Sequence, residues 1–281
     1  MIAEKDYSLY LDTISTLSNN ASAFTHEAIS DYISRNASTL SVAGIREYST
    51  DILSTSRDIY GRAGAAASIE FFEANTSKAG LIQVRGDIPE IEKVAHYQAT
   101  KLVDPLTGSL TLDDIDSYLM QVSNYSRDSV RRLADETQVS SSAQPKTKNV
   151  KYARVLNDVH PCAFCTMLAG RGFVYHSAQN AGLGRDGLNH YHRGCKCLVI
   201  ADTDSDPGIQ GYDIEGVQRD YEQIIKEAHL TDEVLWDMWN DLTEEEKRAW
   251  REKCLKEEKD WWEAFKLREY LHAVSHSLPN S

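Results

Sequence analysis

Positive charge is what this sequence has too little of. Thirty lysines and arginines stand against 43 aspartates and glutamates, a formal net charge of −13 over 281 residues. Coating a nucleic acid requires many cations to neutralise phosphates, so this balance argues against the chain as a whole wrapping DNA and favours a basic partner surface. Long apolar runs are missing too: none reaches the roughly 20 residues of a membrane-spanning helix, so no membrane is expected. The opening MIAEKDYSLYLDTIS has acids and hydroxyls where a secretory signal needs a basic start and an apolar stretch. A cytoplasmic compartment is expected, and thiols stay reduced there. Catalytic signatures are absent as well. There is no His-Glu-x-x-His and no nucleophile elbow, and the glycines at 61 and 64 lack the lysine and hydroxyl of a phosphate loop. The expectation is a non-enzymatic protein.

Cysteine is scarce but not scattered. Four of the five cysteines fall between Cys162 and Cys197, as Cys162-x-x-Cys165 and Cys195-x-Cys197, with His192 three residues before Cys195 added to the second group. A Cys-x-x-Cys turn can present two sulfurs to one ion, and a second short knuckle can complete a tetrahedral shell. Thiolates with one imidazole select zinc, or less often iron, over magnesium or calcium. Cys162, Cys165, His192, Cys195 and Cys197 are therefore the candidate ligands, five for four tetrahedral positions. A pair of disulfides, a redox Cys-x-x-Cys and inert buried thiols are the competing readings. No βαβ pattern precedes Cys162 to favour the redox pair. Arg154, Arg171, Arg185, Arg193 and Lys196 make this region locally basic, so an alternative function is a zinc module that binds nucleic acid.

At 281 residues the chain can bury one large core or two modest ones. Residues 1–137 read as a helical domain. Tyr7, Tyr10, Leu11, Ile14 and Leu17 recur at helical spacing; SNNAS interrupts the stripe, and Ile29, Tyr32 and Ile33 resume it. A second pattern spans Ser41 to Asn75, with a run of small residues from Gly61 to Ala67 that suits close helix packing. LIQVR after Gly80 could be a strand or a loop. Another helix is expected over 91–102, and Thr111 with Asp114 imitates a capping box before a helix to about Glu136. Residues 138–149 (QVSSSAQPKTKN) have neither period nor apolar content and read as a linker.

Residues 150–201 form the cysteine-rich α+β module. Val150, Tyr152, Arg154 and Leu156 alternate as in a strand, Thr166–Ala169 suits a short helix, and 173–175 and 198–200 suit strands. DTDSDPGIQGYD imitates a calcium loop but has Asp213 where the closing glutamate belongs, so a solvated loop is expected. Residues 213–281 make an acidic, helical, tryptophan-bearing arm. Thr243 and Glu246 form a capping box there, and Trp250, Cys254, Trp261 and Phe265 share a stripe that could be core or a docking face. The whole is α+β, mainly α.

The cysteine region also resembles a known family. Arg154-Val155, the run from Pro161 to Leu168 (PCAFCTML), Arg171-Gly172, Val174-Tyr175 and Tyr191-His192-x-x-Cys195-x-Cys197 are similar to the MuF-type minor head protein of tailed bacteriophages, in the branch found in actinobacterial phages and prophages. The likeness is specific over about 149–200 and only architectural before that. It implies a small metal-stabilised or cysteine-tied fold within a protein that joins the phage head near the portal. It matches Cys162, Cys165, His192, Cys195 and Cys197 to the motif, but not His160, His176 or His190. The implied partners are portal or major capsid protein, and the implied location is the virion, reached from the host cytoplasm. Nothing here resembles the capsid-maturation protease fused to some relatives.

Overall fold

A computed structural model describes residues 1–76, 78–81, 88–104, 106–144, 149–157, 161, 163–177, 180–181, 197–227, 232–256 and 265–266. Its architecture is α+β, mainly α. All of the expected LIQVR segment except Leu81, and the glycine excursion at 182–187, lie outside the described residues.

The first helix, α1 (Glu4–Arg35), runs unbroken through SNNAS. Its inward side carries Tyr7, Tyr10, Ile14, Ile29 and Ile33, and at the expected interruption Ser18, Ala21 and Ser22 are buried. Small residues there continue the inward face rather than end the helix. Residues 42–76 form α2 (Val42–Ser56), one π turn (Arg57–Gly61) and α3 (Arg62–Thr76). Ser41 caps α2 by accepting from Gly44 N at 3.1 Å. The π turn inserts one residue and re-phases α3 against α2.

Then come α4 (Ile88–Ala99), a 3₁₀ turn to Leu102 and α5 (Ile115–Ser142). The expected capping box at Thr111 does not form. Asp114 gives α5 no side-chain cap, and Thr111 Oγ1 instead accepts from Asp113 N at 3.3 Å.

The bundle is centred on α5, against which α1 and α3 pack. The small-residue run allows the approach: a Cβ at Gly61 would collide with Leu133 Cδ1, and one at Gly64 would lie 2.9 Å from Val130 Cγ1. Gly61→Ala should therefore destabilise by a net of about 1–2 kcal/mol, overpacking outweighing the helix propensity gained. Urea denaturation of this variant, beside Gly61→Ala with Leu133→Ala to relieve the clash, is the check. The far end of the bundle is apolar, with Ile29, Ile33, Ile45, Leu102, Tyr118 and Val122 in one cluster.

Two antiparallel strands follow, β1 (Lys151–Leu156) and β2 (Cys197–Asp202), in the register Lys151↔Asp202 to Leu156↔Cys197. One face, with Val155, Leu198 and Ile200, joins Tyr10, Ile14, Phe71 and Ala134 of the helices in a single core. The other holds Tyr152, Val199 and Ala201 beneath Leu168 of α6 (Ala163–Ala169). Residues 173–175, expected as a strand, contribute only an isolated bridge, Tyr175 to Tyr152.

The expected linker at 138–149 is corrected in its first half. Residues 138–142 complete α5, and Gln138, Ser141 and Ser142 are buried. Hydrogen bonds tie them to both sides: Gln138 Nε2 donates to Ser68 O at 2.9 Å, and Ser142 Oγ meets Tyr152 OH at 3.0 Å, while Gln138 Oε1 is buried without a partner among the described residues. The chain's start reinforces the union of helices and sheet. Ile2 pairs with the loop after β2, its N donating to Gly208 O at 2.8 Å and its O accepting from Gln210 N at 2.9 Å.

In that loop, Asp202 is buried and accepts from Asp204 N and Gly208 N. Its carboxylate organises backbone, as an Asx turn does. The Met1 ammonium contacts Asp204.

Three helices close the described chain: α7 (Ile214–Glu227), α8 (Asp232–Asn240) and α9 (Glu244–Lys256). The start of α7 packs on α6. Gly172 has φ +63°, and a side chain there would meet Ile214 Cδ1 at 2.8 Å. The capping box on α9 forms as expected: Glu246 N donates to Thr243 Oγ1 at 3.3 Å and Thr243 N to Glu246 Oε2 at 2.9 Å. Trp239 of α8 meets Phe265 edge-on at 5.0 Å, with Arg251 of α9 over its indole. Cys254 is buried, in keeping with a place in the arm's own apolar stripe.

Candidate metal centre

The hairpin register builds the centre of the cysteine region. Arg154 faces Val199 and Leu156 faces Cys197, so Arg154 and Cys197 are diagonal neighbours on one face. The guanidinium reaches across. Arg154 Nε donates to Cys197 Sγ at 3.1 Å and Nη2 to the same sulfur at 2.8 Å. Nη1 donates to Ala181 O at 3.1 Å, and Nη2 also reaches Cys197 O at 3.4 Å. Both residues are essentially inaccessible, Arg154 at 0% and Cys197 at 1% exposure.

A buried guanidinium is costly unless an anion or several acceptors meet it. A sulfur receiving two of its N–H groups is best accommodated as the thiolate, which is also the metal-ligating form.

Two tyrosines complete the surroundings. Burial pushes the Tyr175 hydroxyl above the ordinary phenol range, and Arg171 and Arg154 oppose that shift. The Tyr212 hydroxyl is pushed up to about 12, again chiefly by burial. Both remain neutral donors at physiological pH. Tyr175 uses its hydroxyl on Leu168 O at 3.3 Å, which ties the 173–175 segment to α6. A second tie secures the hairpin. Asp135, fully buried on α5, accepts from Val199 N at 2.7 Å.

Of the five candidate ligands, Cys165 is buried on α6 and Cys197 opens β2, while Cys162, His192 and Cys195 lie outside the described residues. Neither Cys165, Cys197 nor Cys254 is in a disulfide. His176 is exposed; His160 and His190 lie outside the described residues. Among the described residues alone, no group of three His, Cys, Asp or Glu side chains could hold a metal. The two described sulfurs suit a thiolate-rich shell, being buried and anchored on regular elements.

One expectation is overturned here. Arg154, counted among the cations available to nucleic acid, is enclosed and committed to Cys197, so it presents no charge to a phosphate. Sequence reasoning missed this role, although the signal was there. Arg154 stands in the alternation of Val150, Tyr152 and Leu156, a position that calls for a buried partner.

The fold and the buried arginine–cysteine centre define a mainly helical protein built around a small cysteine-bearing hairpin. A family model described as VG15 protein matches residues 1–224, four-fifths of the chain, and the chain belongs to this family of phage proteins. No curated protein and no solved structure matches. The matched segment takes in α1 through most of α7 and both strands, and α8 and α9 lie beyond it. Among the described residues no helix is long and apolar enough to cross a membrane.

Proposed function

We propose that the protein is a non-enzymatic minor component of a tailed-phage head, present in low copy. On this reading it associates with portal or major capsid protein during assembly in the host cytoplasm and remains in the virion. The observation that carries the proposal is the MuF-type motif running from Arg154 to Cys197 inside a chain of a phage protein family. The bundle and hairpin share one core, so the module is offered to a partner as part of a rigid body. The arm beyond residue 224 adds a second surface. Residues 232–246 contain seven acids and no Lys or Arg, which suits a basic partner.

Within this reading, zinc would be held by four of Cys162, Cys165, His192, Cys195 and Cys197, and its contribution when bound is to cross-link segments too small to hold a core of their own. Arg154 fits that donor set by charge. A shell of three thiolates and one imidazole around a divalent ion carries one net negative charge, which one buried guanidinium neutralises. Arg154 would thus orient Cys197 and balance the site, the usual part of a group placed behind a ligand.

Co-purification tests the proposal. The full chain, co-expressed with the portal protein and separately with the major capsid protein of the same phage, should be retained by at least one. Raising the salt should weaken that retention, as an acidic arm on a basic partner requires. Retention by neither contradicts the proposal.

A further inference from the structure

The C-terminal arm separates its charges. No Lys or Arg occurs between Lys226 and Lys247, so α8 is purely acidic, with Asp232, Glu233 and Asp237, while the cations stand on α9. Leu235 and Trp239 turn inward at 0% and 2% exposure. The opposite side of α8 presents Glu233, Asp237 and Asn240, all exposed. Trp236 stands at the edge between the two sides, 48% exposed. It follows Glu233 by three residues and precedes Asn240 by four, which makes both its neighbours on the helix surface. This surface lies beyond the segment matched by the family, so the family does not account for it.

We propose that Trp236, with Glu233 and Asp237, anchors a Lys- or Arg-bearing segment of the protein on which the arm docks. The inference rests on the reading that this chain binds portal or major capsid protein, and it names the contact. An indole face attracts a cation, and carboxylates beside it concentrate cations at that face. The arm already uses the same chemistry internally: Arg251 lies over Trp239 at 5.3 Å and Lys253 over Trp250 at 5.5 Å. Both of those cations come from α9, and α8 has none of its own to offer. The acids also select the class of partner. A nucleic acid or an anionic membrane surface is repelled by them, whereas a basic protein segment is drawn in. A purely apolar socket would use the indole and gain nothing from the carboxylates.

The test is the affinity of the full chain for immobilised portal protein and for immobilised major capsid protein, by surface plasmon resonance at two salt concentrations. Trp236→Leu keeps an apolar side chain without the aromatic face, and it should weaken binding about tenfold or more. Trp236→Phe, which keeps a smaller aromatic face, should lose less. Glu233→Gln with Asp237→Asn should slow association and flatten its dependence on salt, because these charges steer the encounter. Both carboxylates are exposed, so this double variant should unfold as the wild type does, which makes its result independent of any packing by Trp236. Wild-type affinity in Trp236→Leu, or unchanged association in the carboxamide variant, overturns the proposal and leaves the head-protein reading standing. Wild-type chain that binds neither protein overturns both.

Discussion

Replacing Arg154 with methionine should destabilise the protein by about 3–5 kcal/mol, the scale of removing one member of a buried charged pair. Methionine fills much of the same volume but donates nothing. Cys197 Sγ loses both guanidinium bonds, and Ala181 O and Cys197 O lose theirs. Under the zinc proposal the same change should lower metal affinity by roughly 10–100-fold, the usual cost of deleting the group behind a ligand. Arg154→Lys separates charge from geometry. It keeps the cation without the fork, so it should recover part of the affinity and less of the stability. Urea denaturation and competition with a zinc chelator measure the two effects. Near-native stability in Arg154→Met would mean that the buried pair contributes little.

The second large effect is loss of metal on substituting the first knuckle. Protein purified without chelator should contain about one zinc per chain, and Cys162→Ser with Cys165→Ser should contain essentially none and lose cooperative unfolding of the hairpin region. Cys254→Ala is the control. Cys254 is buried in the C-terminal arm, where Trp239, Trp250 and Phe265 cluster. Its truncation should leave the metal in place and cost at most about 1–2 kcal/mol. Elemental analysis of the three proteins decides. Fully folded, metal-free wild type contradicts the zinc proposal, and metal loss in Cys254→Ala contradicts the place given to that residue.

Much of the fold was legible because apolar periodicity is a direct record of burial. Tyr7, Tyr10, Ile14, Ile29 and Ile33 were readable as one face, and all five are buried. The Gly61–Ala67 run announced a close helix approach, and Leu133 and Val130 supply the neighbour. Thr243 and Glu246 formed their capping box because both partners lie within one turn. Thr111 and Asp114 had the same spacing, but α5 begins only at Ile115, after Asp114.

What stayed hidden is burial satisfied by hydrogen bonds. Residues 138–142 look like a linker because a hydropathy pattern cannot see that Gln138 will meet Ser68 O, or Ser142 the Tyr152 hydroxyl. Asp135 is another such residue: nothing local to it announces the Val199 N–H it will bind 64 positions later. Of the candidate metal centre, spacing marked the cysteines, and the structure adds Arg154, whose role emerges only once the hairpin register sets it diagonal to Cys197.

The central claim is that this chain is a constituent of the phage head, and quantitative mass spectrometry of purified virions tests it most directly. Its peptides should be present in particles that have been stripped of loosely bound protein, at a copy number close to that of the portal protein and far below that of the major capsid protein. Particles that contain portal and capsid proteins but none of this chain would contradict the account.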